Sequence, residues 1–120
     1  MRVLVVEDQA NVSTYIKRAL EEQGYAVDVA RTGREALGWA NVVDFDIIVL
    51  DIMLPDVSGL VMCRQLRANQ QTAHLPIIMI SAHMPPKTEE AKAAGASAYL
   101  AKPINLRSLK ETLINVGINP

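Results

Sequence analysis

The segment Ile47–Asp51 constrains the fold of this chain more than any other stretch. It consists of four consecutive apolar residues, three of them β-branched, followed by an aspartate. A strand without polar alternation is covered on both faces, and such strands belong to parallel sheets enclosed by helices. The aspartate would then lie at the carboxyl edge of the sheet, where open α/β folds bind their ligands.

Five strands and five helices alternate along the rest of the chain. The predicted strands cover residues 3–6, 26–30, 47–51, 77–80 and 98–101, and the predicted helices cover 10–23, 33–43, 59–68, 87–94 and 106–116. Right-handed crossovers with helices on both faces leave few possible strand orders. The sequence therefore predicts a single doubly wound α/β domain over residues 1–120, with a five-stranded parallel sheet in the order 2-1-3-4-5.

Capping residues and prolines indicate where several helices begin. Thr32 and Glu35 fit the reciprocal capping pattern, in which each side chain accepts a hydrogen bond from the backbone amide of the other residue. Pro55 and Gly59 bracket a loop after the third strand, and Pro85-Pro86 delays the fourth helix until about residue 87.

Composition excludes several classes of function. The chain has 12 basic and 13 acidic residues, so it lacks the basic excess that is typical of direct nucleic-acid binding. No apolar run approaches the roughly 18 residues that a membrane span requires, and the first apolar stretch is too short for a secretory signal. We therefore expect a cytoplasmic protein without membrane insertion, and we expect Cys63, the single cysteine, to act as a small hydrophobic residue.

Polar residues follow four of the five predicted strands. In the predicted order the first and third strands are neighbours, so Glu7, Asp8 and Asp51 would meet in one pocket, and Ser81 and Lys102 would reach it from the fourth and fifth strands. Three adjacent carboxylates repel one another unless a positive charge lies among them. Magnesium suits a site that offers few carboxylates and several waters.

These residue types together can form and stabilise a phosphorylated aspartate. Glu7 and Asp8 are the predicted metal-site acids, and Asp51 is predicted to be both a third ligand and the nucleophile. Lys102 would neutralise phosphoryl oxygens, and the Ser81 hydroxyl would hydrogen-bond to one of them. Each residue alone fits an ordinary role, such as a helix cap or a solvated charge, but the joint placement favours a phosphate and metal site.

The set also resembles a known family. The residues that carry the resemblance are Glu7-Asp8, Asp51 followed by Pro55 and Gly59, Ser81-Ala82, Tyr99 and Lys102-Pro103. They are similar to the pattern of receiver domains of two-component response regulators, those of the chemotaxis-regulator type in particular. The resemblance implies a flavodoxin-like fold, bound Mg²⁺, and phosphoryl transfer to Asp51 from a sensor histidine kinase or a phosphotransfer protein.

The same resemblance implies further roles. The backbone carbonyl of Met53 would be a metal ligand, Ser81 and Tyr99 would form a switch pair, and the Lys102-Pro103 bond would be cis. Phosphorylation would change a partner-binding face made by the fourth helix, the fifth strand and the fifth helix. Such a protein is not a classical enzyme, although it would catalyse its own phosphoryl transfer and its own dephosphorylation.

Two departures from the family pattern concern the context of the domain. The segment 95–99 lacks the aspartates that winged-helix regulators of this family place before the aromatic residue, and Thr112 stands where those regulators tend to have arginine. These residues build the dimer ion pairs of winged-helix regulators, so that mode of dimerisation is not expected here. The segment 99–104 is more similar to stand-alone or hybrid-kinase receivers, and we expect a free-standing receiver, although a fragment of a larger regulator would have the same sequence.

Other functions are weighed by their sequence requirements. A flavodoxin-type cofactor site needs a Ser/Thr/Gly-rich phosphate loop after the first strand, where Glu7-Asp8 would repel a phosphate. A P-loop NTPase needs a glycine-rich run that ends in Lys-Ser/Thr, and the sequence contains none. The surviving alternative is a receiver-like interaction module that works independently of phosphorylation. His83 has two interpretations, either an ordinary loop residue or a group that shapes water access to the acyl phosphate.

Overall fold

The computed structural model describes all residues from 1 to 120 and contains one parallel sheet. Its strands are β1 (Arg2–Val6), β2 (Ala26–Ala30), β3 (Ile47–Asp51), β4 (Ile77–Ser81) and β5 (Ala98–Ala101). Its helices are α1 (Ala10–Glu22), α2 (Gly33–Val42), α3 (Gly59–Ala68), α4 (Thr88–Ala94) and α5 (Leu106–Asn115). The strand order is β2-β1-β3-β4-β5, which confirms the predicted topology.

Two hydrophobic cores lie on opposite faces of the sheet. Residues of α1 and α5, such as Ile16 and Leu109, pack with one set of strand side chains in a cluster of 13 buried residues. Residues of α2, α3 and α4, such as Met62 and Ala91, pack with the other set in a cluster of 17. Every residue of β3 is buried, as expected for a central strand that is covered on both faces.

The register of the sheet aligns the polar ends of the strands. Val6 of β1 lies beside Leu50 of β3, and Asp51 lies beside Ile80 of β4. Ser81 in turn pairs with Ala101, the residue before Lys102. The groups that follow these strands therefore meet at a single edge of the sheet.

Gly59 brings α3 close to the end of β3. A β-carbon at this position would overlap the carbonyl oxygen of Asp51 and would lie 2.8 Å from the α-carbon of Ile52. The Gly59 amide donates a 2.8 Å hydrogen bond to the Ile52 carbonyl, which closes the loop after β3. Only a residue without a side chain fits this approach.

The predicted cap of α2 is only half correct. The Thr32 hydroxyl accepts a hydrogen bond from the Glu35 amide at 3.0 Å, but the reciprocal bond from the Thr32 amide to the Glu35 carboxylate is not formed. Asp56, from the loop after β3, accepts hydrogen bonds from the amides of Gly33 and Arg34 at 2.8 and 3.0 Å. A residue distant in the sequence thus adds to the Thr32 cap by binding the first two amides of the helix.

The remaining sequence expectations on the fold hold with small changes. The predicted bounds of β2, β3, β5 and α3 are confirmed, and the other bounds move by one residue at an end. Cys63 is fully buried on α3, as expected of a small hydrophobic residue. No helix combines the length and the apolar character needed to span a membrane.

Candidate functional site

An acidic cluster lies at the carboxyl edge of β1 and β3. Glu7 and Asp8 follow β1, and Asp51 ends β3, so the pairing of these strands brings the three side chains together. One carboxylate oxygen from each residue lies within 4.8 Å of the others. Glu7 and Asp51 are buried, whereas Asp8 is exposed to solvent.

Lys102 follows β5, an edge strand of the sheet, and its side chain reaches the acidic cluster. Its Nζ lies 2.6 Å from Oε1 of Glu7 and donates a hydrogen bond to Oδ2 of Asp51 at 2.9 Å. Its side chain is only 11% exposed. The Lys102-Pro103 peptide bond is cis, as the family resemblance implies, and so is Met84-Pro85, which was not predicted.

Glu7 is the most electrostatically unfavourable member of the cluster. Burial raises the pKa of its carboxyl to about 7, although Lys102 and the Gln9 amide oppose that rise. Oε1 lies close to Lys102 Nζ, but the angle is not that of a hydrogen bond, so this buried oxygen accepts none. A buried carboxylate oxygen without a hydrogen bond suits a divalent cation, because such an ion binds oxygen ligands without needing a donor hydrogen.

Lys102 remains a cation in this environment. Burial alone would lower its pKa, but the ion pair with Glu7 and the hydrogen bond and charge of Asp51 outweigh burial, and the net direction is upward. One ammonium group faces three carboxylates, so the ionised cluster keeps an excess of negative charge. The residues present therefore fit a hard divalent cation with oxygen ligands.

Ser81 and Tyr99 form their side-chain hydrogen bonds with the segment between β4 and α4 and not with the acids of the cluster. The Ser81 hydroxyl is buried and accepts a 3.0 Å hydrogen bond from the amide of His83, not from a group in the acidic pocket. The Tyr99 hydroxyl accepts a 3.2 Å hydrogen bond from the Lys87 amide at the start of α4. The partly buried Tyr99 ring packs against the core beneath α4, so the two predicted switch residues flank the loop from β4 to α4.

Met53 and His83 lie in the loops that border the site. The Met53 amide donates a 3.0 Å hydrogen bond to Oδ1 of Asp51, which places the Met53 backbone beside the candidate nucleophile. The role of its carbonyl as a metal ligand stays a prediction. Nδ1 of the half-buried His83 ring lies 3.0 Å from the carbonyl oxygen of Pro85, a contact within its own loop.

Two neighbours of the site were not predicted from the sequence. The Gln9 side chain accepts a 3.2 Å hydrogen bond from Lys102 across 93 residues of chain. Asp56 fastens the loop that follows Asp51 to the start of α2. Both residues bond to partners that are distant in the sequence, so no local motif indicates these contacts. For Gln9, its position directly after the acid pair was the one available signal, and for Asp56 there was none.

Comparison with known proteins decides the family. Residues 3–114 match the family model of the response regulator receiver domain. The chain belongs to this family. The response regulator ArlR of Staphylococcus saprophyticus is 38% identical over 109 residues, which are 90% of this chain and 48% of ArlR. The transcriptional regulatory protein ResD of Bacillus subtilis is 36% identical over 113 residues, with 90% of this chain and 44% of ResD covered.

Solved receiver structures share the fold along nearly the whole receiver domain. The chemotaxis response regulator CheY4 of Vibrio cholerae superposes with a TM-score of 0.90 at 35% identity, covering 96% of this chain and 97% of CheY4. The receiver domain of a sensor histidine kinase from Pseudomonas aeruginosa gives a TM-score of 0.87 at 31% identity, with 95% and 94% covered. That structure has a magnesium ion coordinated in its active site cleft. By contrast, the chain spans about half the length of the curated relatives it matches.

Proposed function

We propose that this receiver domain, residues 1–120, is a phosphorylation-dependent signalling switch whose phosphoacceptor is Asp51. The observation that carries the proposal is the junction of three carboxylates, within 4.8 Å of one another, with an ammonium group 2.9 Å from Asp51. A metal site alone would not need the buried lysine. A phosphoryl group needs both the lysine and the cation, because both neutralise its oxygens.

The residues that would hold Mg²⁺ are Glu7, Asp8, Asp51 and the backbone carbonyl of Met53. When bound, Mg²⁺ would supply the positive charge that lets the carboxylates and the phosphoryl oxygens lie together. Glu7 contributes a buried oxygen without a hydrogen bond, and Asp8 contributes an exposed carboxylate that is free to turn toward the cluster.

Asp51 would act as the nucleophile toward a phosphohistidine. One of its carboxylate oxygens forms a bond to phosphorus while the bond from phosphorus to the imidazole nitrogen breaks, and the electron pair stays on that nitrogen. Lys102 moves one hydrogen bond from Asp51 to a phosphoryl oxygen. Because Lys102 is held at 2.9 Å before the reaction, it is already placed for this exchange.

The same site would remove the phosphoryl group by hydrolysis. A water oxygen bonds to phosphorus, the bond from phosphorus to the Asp51 oxygen breaks, and inorganic phosphate leaves. The chain thus acts on itself and is not a classical enzyme with turnover of a separate substrate. His83 borders this site, and an unchanged dephosphorylation rate in His83→Ala would assign it a purely structural loop role.

The output would pass through the loop between β4 and α4. A phosphoryl group adds about two negative charges near neutral pH, and the Ser81 hydroxyl, which accepts a hydrogen bond from the His83 amide, still has its own hydrogen to donate to a phosphoryl oxygen. A movement of Ser81 toward the phosphoryl group would pull on the loop that leads to α4, and Tyr99 holds the start of the same helix. The partner-binding face is therefore proposed to be α4, β5 and α5.

Intact-mass spectrometry tests the phosphoacceptor directly. Wild-type protein incubated with acetyl phosphate and Mg²⁺ should gain the mass of one phosphoryl group, and Asp51→Asn should gain none. If the wild type gains nothing, or if Asp51→Asn gains the same mass, Asp51 is not the acceptor. Equal partner affinity with and without the phosphoryl group would instead favour an interaction module that is independent of phosphorylation.

The proposed upstream partner is a sensor histidine kinase or a phosphotransfer protein, and the proposed location is the cytoplasm, without membrane insertion. The absence of a basic excess argues against direct nucleic-acid binding by these residues. The downstream target can be sought by affinity capture with beryllofluoride-treated and untreated protein. A target of the switch should bind the two forms with different affinity.

A further inference from the structure

The ammonium group of Lys102 has three oxygen neighbours from three residues. Two are the carboxylates of Glu7 and Asp51, at 2.6 and 2.9 Å, and the third is the side-chain oxygen of Gln9, at 3.2 Å. A lysine ammonium has three donor hydrogens. Two of them are used in hydrogen bonds, to Asp51 and Gln9, whereas the contact with Glu7 is an ion pair without hydrogen-bond geometry.

Gln9 differs from the other two neighbours because it is neutral and lies outside the acidic cluster. Both carboxylates change when the site is used, since Glu7 would share its electrons with a cation and Asp51 would carry the phosphoryl group. The amide oxygen of Gln9 changes in neither event. It is thus the one neighbour that offers Lys102 the same hydrogen bond before and after phosphorylation.

The position of Gln9 at the start of α1 leaves its side chain available for Lys102. Gln9 is the N-cap residue of α1, but its side chain makes no capping hydrogen bond. Its amide donates to Oε2 of Glu7 at 3.1 Å, which ties the start of α1 to the acidic cluster. The side chain is left to bridge the loop after β1 and the loop after β5.

We propose that Gln9 is a positioning residue for Lys102, whose side-chain oxygen keeps the ammonium group at the phosphoacceptor while Asp51 gains or loses its phosphoryl group. This role rests on the proposed function of Asp51. The Gln9 side chain is hydrogen-bonded to the ammonium group and not to Asp51, so a change of this side chain would act on the reaction through the lysine.

Two variants of Gln9 test the proposal, and a third variant is a matched control elsewhere in the chain. Gln9→Met has a similar length but no oxygen, and Gln9→Glu keeps an acceptor at the same reach. The control is Gln23→Met, because Gln23 accepts a 2.7 Å hydrogen bond from Lys110, at the opposite end of α1. Each protein is phosphorylated with acetyl phosphate and Mg²⁺ and followed by intact mass, and Mg²⁺ binding is measured by calorimetry.

The expected result separates the reaction rate from metal binding. Gln9→Met should slow phosphoryl uptake about threefold to tenfold, the loss expected from one hydrogen bond to a charged group at a partly exposed site, with the dissociation constant for Mg²⁺ unchanged. Gln9→Glu should stay within about twofold of the wild type, on the same scale, and Gln23→Met should match it. A wild-type rate in Gln9→Met, a parallel loss of Mg²⁺ affinity, or a rate in Gln9→Glu as low as in Gln9→Met would each overturn the proposal.

A second measurement does not depend on phosphorylation. The ¹H–¹⁵N signal of the Lys102 ammonium, assigned by its loss in Lys102→Arg, should shift and exchange faster with water in Gln9→Met and not in Gln23→Met. An unchanged signal would overturn the role of Gln9 even in active protein. If the wild type took up no phosphoryl group while this signal still changed, the proposed function would fail and the Gln9 contact would stand.

Discussion

At the scale of single residues, the site depends on one lysine that neutralises an excess of acids. Lys102 would compete with a bound Mg²⁺, because both would lie against the oxygens of Glu7 and Asp51. In the proposed reaction the same lysine would neutralise the phosphoryl oxygens, which add negative charge where the acids already repel one another. Metal affinity and phosphoryl transfer should therefore respond to its removal in opposite directions.

Lys102→Met tests this opposition. The variant should bind Mg²⁺ at least about threefold more tightly, because the acids lose their internal cation, and it should take up phosphoryl groups from acetyl phosphate at least about tenfold more slowly. Calorimetry and intact-mass kinetics give the two quantities. The matched control is Lys110→Met, which removes a lysine that bonds to Gln23 away from the site. Weaker Mg²⁺ binding in Lys102→Met would show that the lysine organises the metal site instead of competing for it.

Asp56 contributes a charge-dependent bond at the start of α2. The amides of Gly33 and Arg34 lower the pKa of its carboxyl, because both hydrogen bonds favour the ionised form. A group with a lowered folded-state pKa adds stability above its unfolded pKa and loses that contribution as pH falls through the folded value. The stabilising effect of Asp56 should therefore be full at neutral pH and should fade as the pH falls below about 4, the usual aspartate pKa, through the lower folded-state pKa.

Asp56→Asn makes this pH dependence measurable. The variant should have a lower free energy of unfolding than the wild type at pH 7, and the gap should narrow toward pH 3. Urea unfolding at several pH values gives the difference, and Asp44→Asn, at an exposed acid without a hydrogen bond, is the control. A gap that stays constant over the whole range would mean that the ionised carboxylate is not what holds α2.

At the scale of elements, α4 is held from outside at both ends. It buries only Ala91 and Ala94, so its own apolar surface anchors it weakly. Arg67 donates a 2.9 Å hydrogen bond to the carbonyl of Gly95 at its C-terminal end. Tyr99 accepts from the Lys87 amide at its N-terminal end, where no side-chain cap from the local sequence is present.

Tyr99→Phe should loosen the start of α4 and leave its end intact. The first amides of a helix have no partner within the helix, so loss of the Tyr99 hydroxyl exposes them to solvent exchange. Hydrogen exchange should become faster in the segment from 87 to 90 and stay unchanged near Gly95. Tyr15→Phe is the control, because the Tyr15 side chain is exposed and its hydroxyl makes no hydrogen bond. Equal hydrogen-exchange rates at the start of α4 in Tyr99→Phe and the wild type would show that the Tyr99 hydroxyl does not stabilise this helix end.

Replacing glycine by alanine should have opposite effects on stability at two helical positions, Gly59 and Gly38. Gly59→Ala would force the backbone of β3 and α3 apart, since the new β-carbon meets main-chain atoms of Asp51 and Ile52. Its cost should be about 1–3 kcal/mol of unfolding free energy. Gly38→Ala adds a methyl group where no atom lies within 4 Å, inside α2, and should stabilise by about 0.5–1 kcal/mol. Urea unfolding gives both values, and a neutral Gly59→Ala would show that the loop after β3 can yield.

At the scale of the whole molecule, the sequence was sufficient to predict the strand order and the grouping of Glu7, Asp51 and Lys102 at one edge of the sheet. The burial of a strand such as Ile47–Asp51 can be predicted from its own residues, because a strand covered on both faces has no polar alternation. The contacts of Gln9 with Lys102 and of Asp56 with α2 could not be predicted in this way. They depend on how separate loops lie once the sheet has formed, and residues 93 positions apart share no periodicity.

The site joins the neighbouring strands β1 and β3 with β5, which lies beyond β4, so ligand binding there should stabilise the entire domain. Glu7 follows β1, Asp51 ends β3 and Lys102 follows β5, and a ligand that prefers this arrangement must be released on unfolding. With Mg²⁺ at about 100 times its dissociation constant, the gain should be about 2.7 kcal/mol for one site. Thermal unfolding in Mg²⁺ and in EDTA measures it. Asp51→Asn should lose most of this gain, whereas an equal Mg²⁺ effect in Asp51→Asn would place the bound ion outside the acidic cluster.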